Sequence, residues 1–404
     1  LQAAPDTALA AQLREEIATV RDAPLRAALD SVYRATEYRP LWYRDGALTA
    51  AARGVMEAMR QVQVRGLDPV DYPAGNDSTA QLPGHDVALS RDAARLARHL
   101  ARGRVEPRLA DTGSVLPKRP FSYRDALFRL MGAVDADRLL DSLEPRGAEY
   151  WRLRTALPRM RALAEAVPPF NGRALPRTVQ PGDSSAPLRA LRDYQQRLGD
   201  LNDSDDSPLA VSRDSLLGQA LRDFQRRHGL PADGVIGPAT RAALETPLAW
   251  RVRQMELTLE RWRWYPEPET GAVIDVEIPS ATLRYRETPA GIQPFDDIAI
   301  VGSVSSETPL LASTIGKVIL NPEWIVPLSI VRNELLPKYQ ADSTSFAKGN
   351  YELVRRGVVV PLTPENLAQL GQTVMVRQRP GPGNSLGRIK LEIAGTSGIH
   401  LHDT

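Results

Sequence analysis

A change of periodicity near Pro266 divides this 404-residue chain into two kinds of structure. Before Pro266, apolar residues recur at the three- and four-residue spacing of amphipathic helices, as in Val252, Leu259 and Trp262. After it, apolar and polar residues alternate, as in the run 274–278, which is typical of strands. The sequence therefore predicts a multidomain α+β protein, helical at first and then sheet-rich and sandwich-like.

A connection rich in Pro, Gly and Ser, from residue 166 to residue 185, interrupts the helical part. We therefore expect a helical scaffold domain over residues 1–165 and a compact three-helix module over residues 175–247. A further helix over residues 249–266 would join the scaffold domain. Within the module, an acidic loop is expected at Asp203-Ser204-Asp205-Asp206.

Several helix ends are marked by their capping residues. Thr49 and Ser90 stand where N-caps are expected, and Gly103 follows the last turn of the helix that Ser90 would begin. In the small module, Gly229 would close one helix and Pro238 would begin the next. These signals predict short, well-bounded helices.

The part from residue 267 to residue 404 is predicted to be one sheet-rich domain, incomplete at its C-terminus, with an inserted lid at about 328–371. Within the lid, Ser329 would cap a short helix that Pro337 ends. The strand candidates are 274–278, 283–286, 298–301, 318–320, 374–377, 389–393 and 399–402.

The composition excludes several classes of function. The 51 basic and 49 acidic residues give a net charge of +2, which provides no broad field for nucleic acid. The chain contains no cysteine, so disulfides, thiolate metal sites and a cysteine nucleophile are excluded within these residues. No apolar run approaches the roughly 20 residues of a membrane span. No long heptad seam is present, and we expect a monomer.

The last residues, Gly398 to Thr404, hold the strongest candidate site. On a strand His400 and His402 would share one face, whereas Asp403 would point to the other. A His-X-His pair can bind a metal, but a typical site needs a third or fourth ligand, and the other three histidines lie in other predicted domains. We therefore expect no metal.

The remaining histidines and a tryptophan pair have structural interpretations. His85 and His99 are expected at the surface, and His228 beside a helix C-terminus. Trp262 and Trp264 are expected to pack in a core or between domains rather than to stack on sugars.

Short motifs also follow one another along the chain in a definite order. Those of the helical part are Tyr38-Arg39-Pro40-Leu41-Trp42, Gly66-Leu67-Asp68-Pro69, Gln180-Pro181-Gly182-Asp183, Phe224-Gln225, Asp233-Gly234-Val235-Ile236-Gly237-Pro238 and Glu260-Arg261-Trp262-Arg263-Trp264. Those of the sheet-rich part are Asn321-Pro322-Glu323-Trp324-Ile325-Val326-Pro327, the segment 377–387 and Leu401-His402-Asp403-Thr404. With these motifs the chain resembles the large periplasmic L,D-transpeptidases of bacteria, which have a YkuD-type catalytic domain and a peptidoglycan-binding module.

The resemblance implies a cysteine mechanism without a cofactor. In the family, a thiolate from a Ser-His-Gly-Cys-type segment attacks the amide that precedes D-alanine in a peptidoglycan stem peptide. D-Alanine leaves, and a side-chain amine of a second stem, usually from diaminopimelate, accepts the acyl group. By position, His402 matches the general base, while His400 stands where these proteins often have an aromatic residue.

The resemblance also implies the substrate contacts and the partners. The candidate substrate-binding residues, besides His400, are Trp324, Arg377, Pro380, Gly381 and Asn384. The stretch Pro380–Gly383 has a second interpretation as a tight loop only, and its glycines permit close backbone approach in either case. The expected partners are stem peptides and glycan strands, in the periplasm, with attachment to the inner membrane through an N-terminal segment outside this sequence.

The missing cysteine leaves two interpretations open. In the first, a Ser-His-Gly-Cys-like segment follows Thr404 in the natural protein, because a sandwich that ended there would keep an open sheet edge. In the second, the protein is a non-catalytic peptidoglycan-binding protein with a degenerate transpeptidase domain. The reading frame beyond Thr404 discriminates between them, and under both interpretations these 404 residues are expected to be inactive in the covalent step.

Overall fold

The computed structural model describes residues 7–75, 82–172, 175, 178–180, 188–201, 215–266, 272–286, 295–396 and 398–403. The chain divides into two compact units, Leu1–Leu310 and Leu311–Thr404. The predicted acidic loop Asp203–Asp206, the motif residues 181–183 and Thr404 lie outside the described residues.

The first unit begins with a helical region around one large apolar core. Its helices are α1 (Thr7–Ala18), α2 (Ala23–Ala35), α3 (Ala50–Arg60), α4 (Gly84–Arg102), α5 (Pro107–Ala110), α6 (Tyr123–Met131), α7 (Ala136–Asp141) and α8 (Ala148–Ala166). A two-stranded hairpin, β1 (Tyr43–Arg44) and β2 (Ala47–Leu48), precedes α3. The predicted N-cap Thr49 is confirmed, since its Oγ1 accepts the Ala52 N–H at 3.1 Å.

Ser90 does not cap a helix, contrary to the prediction. Helix α4 begins six residues earlier, at Gly84, and ends as expected before Gly103, whose φ is +80°. Ser90 is buried within α4, where its Oγ accepts the Trp42 indole N–H at 2.8 Å. Its hydroxyl is engaged in the core and does not compete for the backbone of the helix end.

Helix α4 also carries a buried carboxylate that holds the Tyr38–Trp42 motif. Asp86 accepts the Tyr33 hydroxyl at 2.6 Å and the N–H groups of Leu41 and Trp42 at 2.9 and 2.8 Å. Each bond to a charged acceptor in a dry core is stronger than its surface equivalent. The motif is therefore anchored to α4 by its backbone.

His85 and His99 are buried, so the expectation that they lie at the surface is wrong. Only 4% of His85 and 8% of His99 is exposed. Their Nδ1 atoms lie 2.7 Å from the hydroxyls of Tyr43 and Tyr72. Tyrosine hydroxyls from distant segments provide the partners that make burial of these rings possible.

The three-helix module comprises α9 (Leu188–Leu198), α10 (Leu216–Arg227) and α11 (Pro238–Glu245). Gly229, with φ +67°, closes α10, and Pro238 begins α11, both as predicted. The Gln225 side chain is buried and holds the following turn, donating to Asp233 Oδ1 and accepting the Gly234 N–H at 2.9 Å.

Helix α12 (Leu248–Trp262) follows and packs against α8 around the buried side chains of Tyr150, Leu157 and Leu259. The Arg263 side chain, fully buried, donates to the Tyr150 hydroxyl at 2.9 Å. Trp264 is also buried, which confirms its expected packing role.

The first unit ends with an antiparallel sheet, β3 (Val273–Glu277), β4 (Thr282–Arg286) and β5 (Phe295–Ile298). The strand candidate 298–301 is thus shifted, because β5 ends at Ile298 and its pairing with β4 runs from Phe295. Hydrogen-bond register with β4, rather than local alternation, sets the end of this strand.

The second unit contains two antiparallel sheets, in the orders β7-β10-β8-β9 and β12-β11-β6. Their strands are β6 (Ile315–Leu320), β7 (Trp324–Ile325), β8 (Tyr351–Arg355), β9 (Val358–Val360), β10 (Met375–Gln378), β11 (Ile389–Ile393) and β12 (His400–His402). Short helices α13 (Leu328–Ile330), α14 (Leu336–Ala341), α15 (Ser345–Lys348) and α16 (Pro364–Leu367) complete the unit.

The segment predicted as a lid contains β8 and β9 and contributes Phe346 and Leu353 to a core shared with Val374 and Val376. Ser329 lies inside α13, and Pro337 stands in the first turn of α14 instead of ending a helix, so both boundary predictions are wrong. A π-helical turn, Val331–Leu335, connects α13 to α14 in one helical run, and this wider turn accommodates Pro337 without ending the helix.

Candidate active site

The two terminal histidines lie on β12, at the edge of a three-stranded antiparallel sheet. His402 is directly opposite Lys390 of β11, and His400 is directly opposite Glu392. On the other side of β11, Glu392 is opposite Lys317 and Lys390 is opposite Ile319. Residues directly opposite one another share a face of a sheet. These six residues therefore form one surface, which we call the histidine face.

The His402 ring has a defined hydrogen bond on one nitrogen. Its Nδ1 lies 2.8 Å from the carbonyl oxygen of Asp403, an acceptor that requires a proton on Nδ1. In the neutral ring this leaves the lone pair on Nε2. The side chain is exposed, so Nε2 can take a proton from a group that approaches the face.

His400 is half-buried, and its ring centroid is 5.9 Å from that of His402. Burial, assisted by the nearby charge of Lys390, lowers the pKa of His400. A neutral imidazole beside His402 adds no second positive charge when His402 accepts a proton. The expected distinction between a base and a neighbour on the same face is compatible with these environments.

Asp403 fixes the end of the histidine strand. Its Oδ1 accepts the backbone N–H groups of Ile389 at 2.7 Å and Arg388 at 2.8 Å. These bonds favour the ionised form and lower the pKa of Asp403. Gly387 has φ +62°, and a Cβ atom there would collide with the Asp403 carboxyl group. The carboxylate thus holds His402 against the loop that precedes β11.

That loop, residues 379–388, is held by two buried amide side chains. Asn384 donates through Nδ2 to the carbonyl oxygens of Arg379 at 2.9 Å and Pro322 at 3.2 Å, and its Oδ1 accepts the Leu386 N–H at 2.8 Å. Gln378 donates to the Gly383 carbonyl at 3.0 Å and accepts the Ser385 N–H at 2.8 Å. Both amides are engaged in shaping the loop.

Trp324 and Arg377 lie on neighbouring strands of the other sheet, where Trp324 is paired with Gln378. The Arg377 guanidinium donates through Nε to Glu352 at 2.8 Å and through Nη1 to Glu323 at 3.1 Å. It therefore ties β7, β8 and β10 together. Trp324 is half-buried against the core that contains Val326.

Pro380 is exposed, and Gly381, with φ +126°, is half-buried at the start of the loop. Pro380, Gly381 and Asn384 thus belong to one loop that connects the Arg377 strand with the strand next to the histidines. The Asn321 N–H also donates to the Arg388 carbonyl at 2.8 Å, which joins the end of β6 to this loop. Substrate binding by these residues remains a prediction.

Sequence reasoning missed Gln378, Glu352 and Lys390. Gln378 interrupts the alternation of β10 with a polar residue that is only 2% exposed, a signal that could have found it. Glu352 and Lys390 become neighbours of Arg377 and His402 only through strand register.

Among the described residues, no cluster of three or more His, Cys, Asp or Glu side chains could hold a metal ion. Nor does the described part of the chain contain a helix long and apolar enough to cross a membrane.

The described structure comprises a helical region, a small helical module and a sheet-rich part that presents a histidine at a strand end. Three families match these parts in turn. Residues 27–157 match the "Scaffold domain", residues 188–244 the "Putative peptidoglycan binding domain", and residues 271–404 the YkuD "L,D-transpeptidase catalytic domain".

A protein of Haemophilus influenzae (strain ATCC 51907 / DSM 11121 / KW20 / Rd), described as "Putative L,D-transpeptidase", is 30% identical over 154 residues. The aligned part is 38% of this chain and 31% of that protein, so the chain spans about a third of the relative's length. The small helical module is thus similar to a putative peptidoglycan-binding domain, and residues 271–404 are similar to the L,D-transpeptidase catalytic domain of the YkuD type.

Proposed function

We propose that the chain belongs to an L,D-transpeptidase that cross-links peptidoglycan stem peptides outside the cytoplasm. The observation that carries this proposal is the state of His402, whose Nδ1–H is directed at the Asp403 carbonyl while Nε2 remains available on an exposed sheet face. This is the arrangement that a general base requires. The catalytic and peptidoglycan-binding domain matches support the same reaction class.

In this mechanism Nε2 of His402 takes the proton of a cysteine thiol, and the thiolate attacks the amide carbonyl that precedes D-alanine. The tetrahedral oxyanion collapses, the C–N bond breaks, and the imidazolium returns the proton to the amine of departing D-alanine. An amine of a second stem then attacks the thioester and releases the thiol. No cysteine is among the 404 residues, so the thiol would have to be supplied from outside them.

The surrounding residues have supporting roles in this proposal. Asp403 and Gly387 hold the histidine strand against the loop 379–388, and Asn384 and Gln378 hold the shape of that loop. Pro380 and Gly381 at its start would then contact the stem peptide through backbone groups, because their side chains leave the backbone accessible. The segment 328–371 would cover the bound peptide as a lid.

The test uses the gene product extended beyond Thr404 by its natural reading frame. If that frame encodes a Ser-His-Gly-Cys-like segment, we expect one carbapenem adduct per chain by intact mass, and none after replacement of the cysteine by alanine. His402→Ala should slow acylation by about 10²- to 10⁴-fold, the range for loss of a general base.

His400→Gln is the matched control, because it changes the neighbouring histidine of the same strand and is expected to alter the acylation rate only a few-fold. Acylation that persists without the cysteine, or that is equally fast in His402→Ala, would refute the mechanism. The circular dichroism spectrum of His402→Ala checks that this variant is folded.

The absence of cysteine from the sequence favours one second candidate, a non-catalytic peptidoglycan-binding protein. Its expected behaviour is co-sedimentation of the 404-residue chain with purified peptidoglycan sacculi, together with a stop codon directly after Thr404. A cysteine-encoding extension that is acylated by the carbapenem would rule this candidate out.

A further inference from the structure

The histidine face carries two lysines that the mechanism above does not use. Lys390 is directly opposite His402 on the neighbouring strand, and Lys317 is opposite Glu392 one strand further. In antiparallel pairs the Cβ atoms of directly opposite residues lie about 4.5–5.5 Å apart. The Lys390 side chain therefore begins beside that of His402, and its flexible stem can bring the ammonium group to a ligand that contacts the His402 ring.

The charges on this face do not balance. Lys390 Nζ lies 3.2 Å from Glu392 Oε1, whereas Lys317 has no ion-pair partner in the parts of the chain that the structure describes. Apart from the histidines, the two lysines and the one glutamate of this face leave a single positive charge. A negatively charged group of a ligand would neutralise this charge.

The burial of Lys390 distinguishes it from an ordinary surface lysine. Its side chain is only 17% exposed, while that of Lys348, an ion-paired lysine elsewhere in the unit, is 70% exposed. A partly desolvated ammonium interacts more strongly with a carboxylate than an exposed one does. Lys390 also retains N–H donors beyond the one that Glu392 accepts, because an ammonium group has three.

We propose that Lys390 binds the terminal carboxylate of the D-alanine that leaves the acyl-donor stem, with Lys317 compensating the charge of Glu392. The inference rests on the proposed function. A general base must come within about 3 Å of the leaving nitrogen to protonate it. In D-alanine the carboxylate is attached to the same Cα atom as that nitrogen. A lysine whose strand position is directly opposite His402 can therefore bring its ammonium group to this carboxylate.

The proposal has a consequence for substrate choice. A stem that ends in D-alanine at this position presents its carboxylate to Lys390. A stem extended by one more residue replaces the carboxylate with a neutral amide, which leaves the ammonium group without its partner. Lys390 would thus select donors whose scissile bond joins the last residue of the stem.

Equilibrium binding to the 404-residue chain tests this directly, since a chain without cysteine cannot turn the peptide over. The probes are a fluorescein-labelled tetrapeptide stem that ends in D-alanine and the same peptide with only that terminal carboxylate converted to a carboxamide. By fluorescence anisotropy we expect the free acid to bind about tenfold more tightly, a typical ratio for a charge-assisted hydrogen bond.

Lys390→Gln should bind the two peptides with equal affinity, whereas Lys390→Arg should keep most of the preference. Lys317→Gln should reduce the preference by about threefold, since Glu392 would then neutralise Lys390 more completely. Lys348→Gln is the matched control and should leave the ratio unchanged.

Equal affinity of the wild-type chain for the two peptides, or an unchanged ratio in Lys390→Gln, would overturn the carboxylate site while leaving the proposed function standing. Failure of the wild-type chain to bind either peptide would overturn the donor site of the proposed function, and this inference with it.

Discussion

The helical region and the histidine-bearing sheet use polar side chains in opposite ways. In the helical region, Asp86, His85 and His99 are buried and bonded to tyrosine hydroxyls or backbone N–H groups. On the sheet, His402 and Lys317 are exposed, and the described residues provide no partner for Lys317.

The difference shows whether the polar groups of each region bond within the protein or stay accessible to other molecules. A buried polar group that finds its partners inside the protein specifies one packing arrangement, because any other would leave it unpaired. A polar group on an open face has no such role in folding and is available to a ligand. The polar groups of the helical region thus specify a single structure, whereas those of the histidine face include side chains that stay exposed.

The largest expected loss of stability in the helical region follows from replacing Glu144. Its carboxylate is fully buried, lies 2.5 Å from Arg65 Nη1 and accepts the Tyr150 hydroxyl, which in turn accepts from Arg263. Glu144→Ala removes the buried counter-ion that Arg65 and Arg263 share and the acceptor of the Tyr150 hydroxyl, while Asp137 and Glu260 remain near the two arginines. Loss of one partner from such a buried network costs about 3 kcal/mol. We expect a large fall in the melting temperature, measured by circular dichroism at 222 nm.

The matched control is Glu57→Ala, which removes an exposed ion pair with Arg60 in α3. Water screens the two charges of an exposed pair, so the melting temperature should hardly change. If the two variants melt alike, the buried network does not stabilise the helical region.

A smaller effect is expected on the pH dependence of the free energy of unfolding, through the buried His99. Burial, together with the nearby positive charges of Arg95 and Arg98, lowers the pKa of His99 to about 3, against 6.5 for a free histidine. Below pH 6.5 the unfolded chain therefore binds a proton at this residue that the folded chain does not bind. The His99 contribution is complete above pH 6.5 and is lost progressively as the pH falls towards 3.

At pH 5 the loss amounts to about 2 kcal/mol, from 1.36 kcal/mol for each pH unit below 6.5. Melting curves of the wild-type chain and His99→Gln between pH 7.5 and pH 5 should therefore diverge, with the wild type losing more. Parallel curves would show that His99 is protonated in the folded protein.

The smallest expected effect is local to the sheet. Gly387→Ala places a Cβ atom against the Asp403 carboxyl group at φ +62°, whereas Gly357→Ala, at φ +83°, meets nothing within 4 Å. Both variants carry the cost of a left-handed backbone, about 1 kcal/mol, but only Gly387→Ala also displaces Asp403.

We expect faster amide hydrogen exchange in β11 and β12 for Gly387→Ala, with the helical region unchanged. Equal exchange in the two variants would show that Asp403 does not hold the histidine strand.

Much of the architecture was predictable from local patterns. The helix ends at Thr49, Gly229 and Pro238 and most strands of the second unit follow their signals. The errors at Ser90 and Pro337 have different causes. Ser90 packs in the core within α4, whereas a π-helical turn before Pro337 lets the helix continue past it.

The candidate site was predictable in part. Alternate residues of a strand share one face, so the sequence predicted that His400 and His402 lie together, and both are on β12. The lysine opposite His402 was not predictable, because register between β11 and β12 depends on pairing rather than on composition. The engagement of Asn384 with Pro322, 62 residues away, was equally hidden from the local sequence.

The sequence by itself indicated most types of element, the order of the helical and sheet-rich parts and the resemblance to L,D-transpeptidases, since periodicity and short motifs are local properties of the chain. Tertiary structure alone decided which polar groups are buried with partners and which stay exposed on a sheet face. The physical reason is that a hydrogen bond or ion pair requires two groups to meet, and in pairs such as Tyr33–Asp86 and Asn384–Pro322 the second group comes from a distant segment.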